Sequence, residues 1–86
     1  MKLIIVIVND NDSEMLTQAF TAANFRVTRV ASTGGFLRRG VATLLLGIED
    51  AQVDAVIQTV RSALPSKGDA KRATLFVLPI DHYEQV

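Results

Sequence analysis

Two apolar runs constrain this chain more than any other feature. Leu3–Val8 and Val41–Ile48 are built almost wholly from aliphatic and β-branched residues. Strands that are apolar at consecutive positions need cover on both faces. Each run is followed by a helical stripe. After the first come Met15, Leu16, Ala19, Phe20 and Ala23. After the second come Val53, Val56, Ile57, Val60 and Leu64, spaced i, i+3, i+4, i+7 and i+11 on one helical face.

The rest of the chain fits around these units. Asn9–Asp12 reads as a turn, and Asn11 with Glu14 makes an N-cap pair for the first helix. Asn24 ends that helix, because Asn tolerates the left-handed conformation. Phe25–Ala31 is expected as a second strand of mixed polarity, which suits a sheet edge. Ser32–Gly40 is a loop with three glycines. Glu49 or Asp50 caps the second helix, Pro65–Arg72 is a polar loop, and Ala73–Pro79 is a fourth strand. Ile80–Val86 is a short tail.

The order strand, helix, strand, strand, helix, strand predicts a single α+β domain over residues 1–86. Its fold is the ferredoxin-like split βαβ, a four-stranded antiparallel sheet with two helices on one face. Right-handed crossovers place the two apolar strands in the middle of the sheet. The uncovered face would then expose apolar side chains, an area rarely left bare on a monomer. A symmetric homo-oligomer is the expected cover.

Composition narrows the function. The chain has 86 residues, 49% of them hydrophobic, with 9 basic and 9 acidic residues and no net charge. That balance argues against general nucleic-acid binding and against attachment to a membrane surface. The apolar start ends at Asn9–Asp12 without a cleavage-like tail, and no stretch reaches the roughly 18–20 apolar residues of a membrane span. A cytoplasmic protein is expected. There is no cysteine, which removes disulfides, thiolate metal sites and a cysteine nucleophile.

Ser32–Gly40 carries the most chemistry. Gly34 and Gly35 free backbone N–H groups to face a ligand. Phe36 offers a ring for stacking a base. Arg38, Arg39 and Arg26 supply positive charge, and Thr28, two residues from Arg26, adds a hydroxyl. On the bare sequence this signal is weak, and the segment reads first as a long hairpin loop with solvated arginines. Gly47 interrupts an apolar strand, which marks either a close approach or a bulge. Asp10 with Asp12 lacks a neighbouring nucleophile and the donor set of a calcium loop. His82, the lone histidine, has no catalytic partner in sequence. No metal or cofactor is expected, and no catalytic residue.

Met1–Val8, Asn24–Thr28, Ala31–Leu37, Leu46–Asp50 and Ala73–Pro79 together resemble the cyclic-di-AMP receptor family of P-II-like signalling proteins. The resemblance implies a homotrimer with cyclic-di-AMP in clefts between subunits, relaying a signal to a downstream protein. It implies ligand contacts from Asn24, Arg26, Thr28, Gly35, Phe36, Leu37 and Gly47. Phe76 and Gln85 would line the cleft or reach it from the neighbouring chain. The chain departs from the family at two places. Val41 stands where the family usually carries an Asn that hydrogen-bonds the base, a loss of about 1–3 kcal/mol, or ~5–150-fold in affinity. Pro65–Arg72 is also short where the family has a long glycine-rich loop. Three other readings follow: a trimer that binds ATP or ADP, an interaction module without a small ligand, and an acyl-phosphate hydrolase on the same fold. The hydrolase needs a basic cradle after the first strand, and Asn9-Asp10-Asn11-Asp12 would repel phosphate there.

Overall fold

The computed structural model describes residues 1–30, 40–64 and 71–86. The elements are β1 (Lys2–Asn9), α1 (Asp10–Ala22), β2 (Thr28–Val30), β3 (Val41–Ile48), a 3-10 turn at Asp50–Gln52, α2 (Val53–Ala63) and β4 (Ala73–Pro79). The strands form one antiparallel sheet in the order β2-β3-β1-β4. The two apolar strands are central, and the fold is the α+β arrangement expected from element order.

The register explains the core. Ile4, Val6 and Val8 of β1 face the same side as Ala42, Leu44, Leu46 and Ile48 of β3, because Ile4 pairs with Leu46 and Val6 with Leu44. Against that side pack Leu16 and Phe20 of α1, Val56 and Val60 of α2, and Leu64. All of these side chains are buried. Each of the larger ones, Ala42 excepted, contributes about 1.5–3 kcal/mol of apolar burial. The stripe expected on α2 splits by depth: Val56, Val60 and Leu64 are buried, while Val53 and Ile57 are half-buried at its margin.

Two boundaries differ from the sequence expectation. The first helix starts at Asp10, with Asn9 as its N-cap, and no separate turn precedes it. The Asp10 N–H donates to the Gly40 carbonyl at 2.8 Å. This bond carries the β1–β3 pairing to the last residue before the helix and leaves no room for the Asn11–Glu14 cap. Asp10 and Asp12 place negative charge in the first turn, where the helix dipole favours it. The second strand is also shorter than Phe25–Ala31. Asn24 adopts φ 67°. The Asn24 N–H donates to the Thr21 carbonyl at 3.0 Å and the Phe25 N–H to the Phe20 carbonyl at 2.9 Å. That is a Schellman motif. Phe25 then packs edge-on against Phe20, with ring centroids 6.4 Å apart. The helix cap therefore claims Phe25, and the ladder begins only at Thr28.

The start of the second helical segment follows expectation. Glu49 precedes the 3-10 turn, and its N–H donates to Gln52 Oε1 at 3.0 Å. At the far end of the sheet, the Ile80 N–H donates to the Met1 carbonyl at 3.1 Å.

Candidate functional site

The sheet face away from the helices holds the described part of the candidate site. Pairing places its side chains in transverse rows. Thr28, Leu45, Ile5 and Phe76 form one row from β2 to β4. Val30, Thr43, Ile7 and Thr74 form the next. Gly47, Leu3 and Leu78 form a third on the other side of the first. The face is mainly aliphatic and partly open to water: Phe76 is 50% exposed and Leu78 41%. This is the bare apolar surface expected from the sequence.

Three of the expected ligand residues gather at the β2 edge of this face. Thr28 opens β2, exposed, and pairs with Leu45. Gly47 lies two residues along β3 from Leu45, exposed, in an ordinary strand conformation. A Cβ built on Gly47 would meet only Met1 Cε, at 4.0 Å. A methyl group there would fit in ordinary van der Waals contact, so packing among the described residues does not itself require a glycine. Arg26 lies just before the paired part of β2, exposed, and forms no ion pair among the described residues. A charge held in that state is available to a phosphate. Asn24 is also exposed, at the left-handed position that ends α1.

The remaining expected residues are elsewhere. Phe76 lies at the opposite edge, three strand spacings from Thr28, or roughly 14 Å. Gln85 is exposed in the tail beyond β4. Gly35, Phe36 and Leu37, with Arg38, Arg39 and the rest of 31–39, lie outside the described residues, as does most of the short loop, 65–70. Gly40, where the first of these segments returns to the sheet, has φ 83°. That backbone conformation favours glycine. Val41, beside it, pairs directly with Asn9.

Several other charged groups are paired among the described residues. Arg72 holds Asp12 at 2.9 Å, and Arg29 lies 3.9 Å from Asp10. The Met1 amino group, 3.1 Å from Asp50, donates to its carboxylate and holds that carboxyl below the usual range. Among the described residues, no group of His, Cys, Asp or Glu could hold a metal ion, and no helix is long and apolar enough to cross a membrane.

The sequence reading passed over two polar groups on this face. Asn9 ends β1 on the same side as Ile7, and its side chain makes no capping hydrogen bond. Thr43 is 8% exposed, and its Oγ1 has no hydrogen-bond partner among the described residues. Alternation from Ile7 and Leu45 was the available signal for both.

A solved structure from Pediococcus pentosaceus, described as a functionally unknown protein, is similar at 34% identity. The match covers 99% of this chain and 96% of that one, with a TM-score of 0.82. The model of the family described as cyclic-di-AMP receptor matches residues 1–70, from β1 through the end of α2. With that match spanning most of the chain, this protein belongs to the cyclic-di-AMP receptor family.

Proposed function

We propose that the chain is a non-catalytic receptor that binds cyclic-di-AMP in clefts between the subunits of a homotrimer and relays its presence to a partner protein. Membership of the receptor family supports the ligand. The observation that carries the intersubunit site is the transverse row Thr28-Leu45-Ile5-Phe76. Thr28 and Phe76 sit at its two ends, so one chain does not close both around a single ligand. A second copy presenting its β4 edge to the β2 edge of the first would do so. The same contact would cover the exposed Phe76 and Leu78. In this arrangement Arg26 takes a phosphate, Thr28 adds a hydroxyl bond, and the ligand passes over Gly47.

The test pairs calorimetric titration of cyclic-di-AMP with sedimentation analysis. The expected result is a trimer that binds one ligand per subunit. A monomer at micromolar concentration, or no heat with millimolar ligand, refutes the proposal. A second reading is favoured by Val41, which offers no hydrogen bond where the family usually has an Asn. On that reading the trimer binds ATP or ADP, or acts as an interaction module alone. A thermal-shift panel separates these, since a ligand raises stability by RT ln(1 + [L]/Kd).

A further inference from the structure

The loop end of the open sheet face holds two polar side chains, Asn9 without a capping bond and Thr43 without a hydrogen-bond partner among the described residues. Asn9 stands opposite Val41 at the end of the β1–β3 ladder. It occupies the N-cap position of α1, where an Asn side chain ordinarily accepts a bond from the helix backbone, yet it makes no such bond. Thr43 is the diagonal neighbour of Asn9 across the same ladder, about 7–8 Å away. Thr43 stands between Val30 and Ile7 in its row, and its buried Oγ1 has no hydrogen-bond partner among the described residues. A buried hydroxyl with nothing to bond is rare enough to call for an explanation. The rest of this end of the face (Ile7, Val30 and Val41) is aliphatic.

We infer that Asn9, with Thr43 beside it, forms a base-reading subsite for one adenine of the ligand. The inference rests on the receptor function proposed above. A carboxamide presents a donor and an acceptor side by side, which matches the N6 and N7 edge of adenine and mismatches the two acceptors of guanine. Asn9 therefore supplies, from β1, the amide that Val41 on β3 does not. Thr43 gives or takes one further hydrogen bond after a rotation about its Cα–Cβ bond.

The experiment compares wild type, Asn9→Ala, Asn9→Asp and Thr43→Val for binding of cyclic-di-AMP and cyclic-di-GMP, with a melting curve for each. Asp caps a helix as well as Asn does, so Asn9→Asp keeps the fold while removing the amide donor. The expected result is a loss of ~5–150-fold in cyclic-di-AMP affinity for both Asn9 variants. Their preference for adenine over guanine should also narrow, which a purely structural role would not produce. Thr43→Val should bind more weakly while melting at the same or a higher temperature. Asn9 variants that bind cyclic-di-AMP within twofold of wild type, with the base preference intact, overturn the inference and leave the receptor function standing. A wild-type chain that binds neither dinucleotide overturns both.

Discussion

At Asn24 and Gly47 a proposed ligand role can be separated from a folding role by single substitutions. Asn24 holds φ 67° at the helix end. Glycine adopts that conformation without strain and an alanine does not. Asn24→Gly should therefore leave the melting temperature nearly unchanged while removing the carboxamide. Asn24→Ala should cost about 1–2 kcal/mol as well. If both variants bind cyclic-di-AMP as wild type does, by calorimetry, Asn24 is a cap and nothing more. Gly47 gives the opposite contrast. The chain has room for a Cβ there, so Gly47→Ala should be within about 0.5 kcal/mol of wild type in stability. A ligand lying on that backbone should nevertheless lose at least tenfold in affinity. Unchanged affinity would place the ligand elsewhere.

Among the elements, the helices differ in how much they hold. Phe20 is fully buried, accepts the Phe25 N–H at its carbonyl, and meets the Phe25 ring edge-on. It ties α1 both to the core and to the approach to β2. Phe20→Ala should cost about 3–5 kcal/mol in a denaturant titration, a large share of the roughly 5–15 kcal/mol available to a domain. A loss below 1 kcal/mol would mean that the pocket collapses around the smaller residue. These elements also mark what the sequence could disclose. The central strands, both helices and the capping turn at Glu49 were legible, because apolar run and 3.6-residue period dominate there. The start of β2 was not, since β-propensity at Phe25 and Val27 gave no hint that the helix cap would claim Phe25. Nor was Asn9 legible as a helix cap, because Asn11 and Glu14 carry an equally good local signal. For the site, the resemblance named Thr28, Gly47 and Phe76. That Thr28 and Phe76 occupy opposite ends of one row depends on register, and a one-residue slip would turn every side chain to the other face.

At the scale of the whole molecule, the first turn of α1 serves both segments that connect the sheet's outer parts. The chain returns from 31–39 at Gly40, whose carbonyl accepts the Asp10 N–H. It returns from 65–70 toward β4 at Arg72, which holds the largely shielded Asp12 carboxylate. Two stretches of chain far apart in sequence thus moor to neighbouring residues of one helical turn. Asp12→Asn should weaken one mooring, lowering stability by about 1 kcal/mol, as expected for a partly exposed ion pair. It should also change hydrogen exchange at Gly40 as well as at Arg72. Exchange altered only near Arg72 would mean that the two moorings act independently. Because the two contacts share one helical turn, a change confined to Asp10–Asp12 has a direct path to Gly40 on one side of the sheet and to Arg72 on the other.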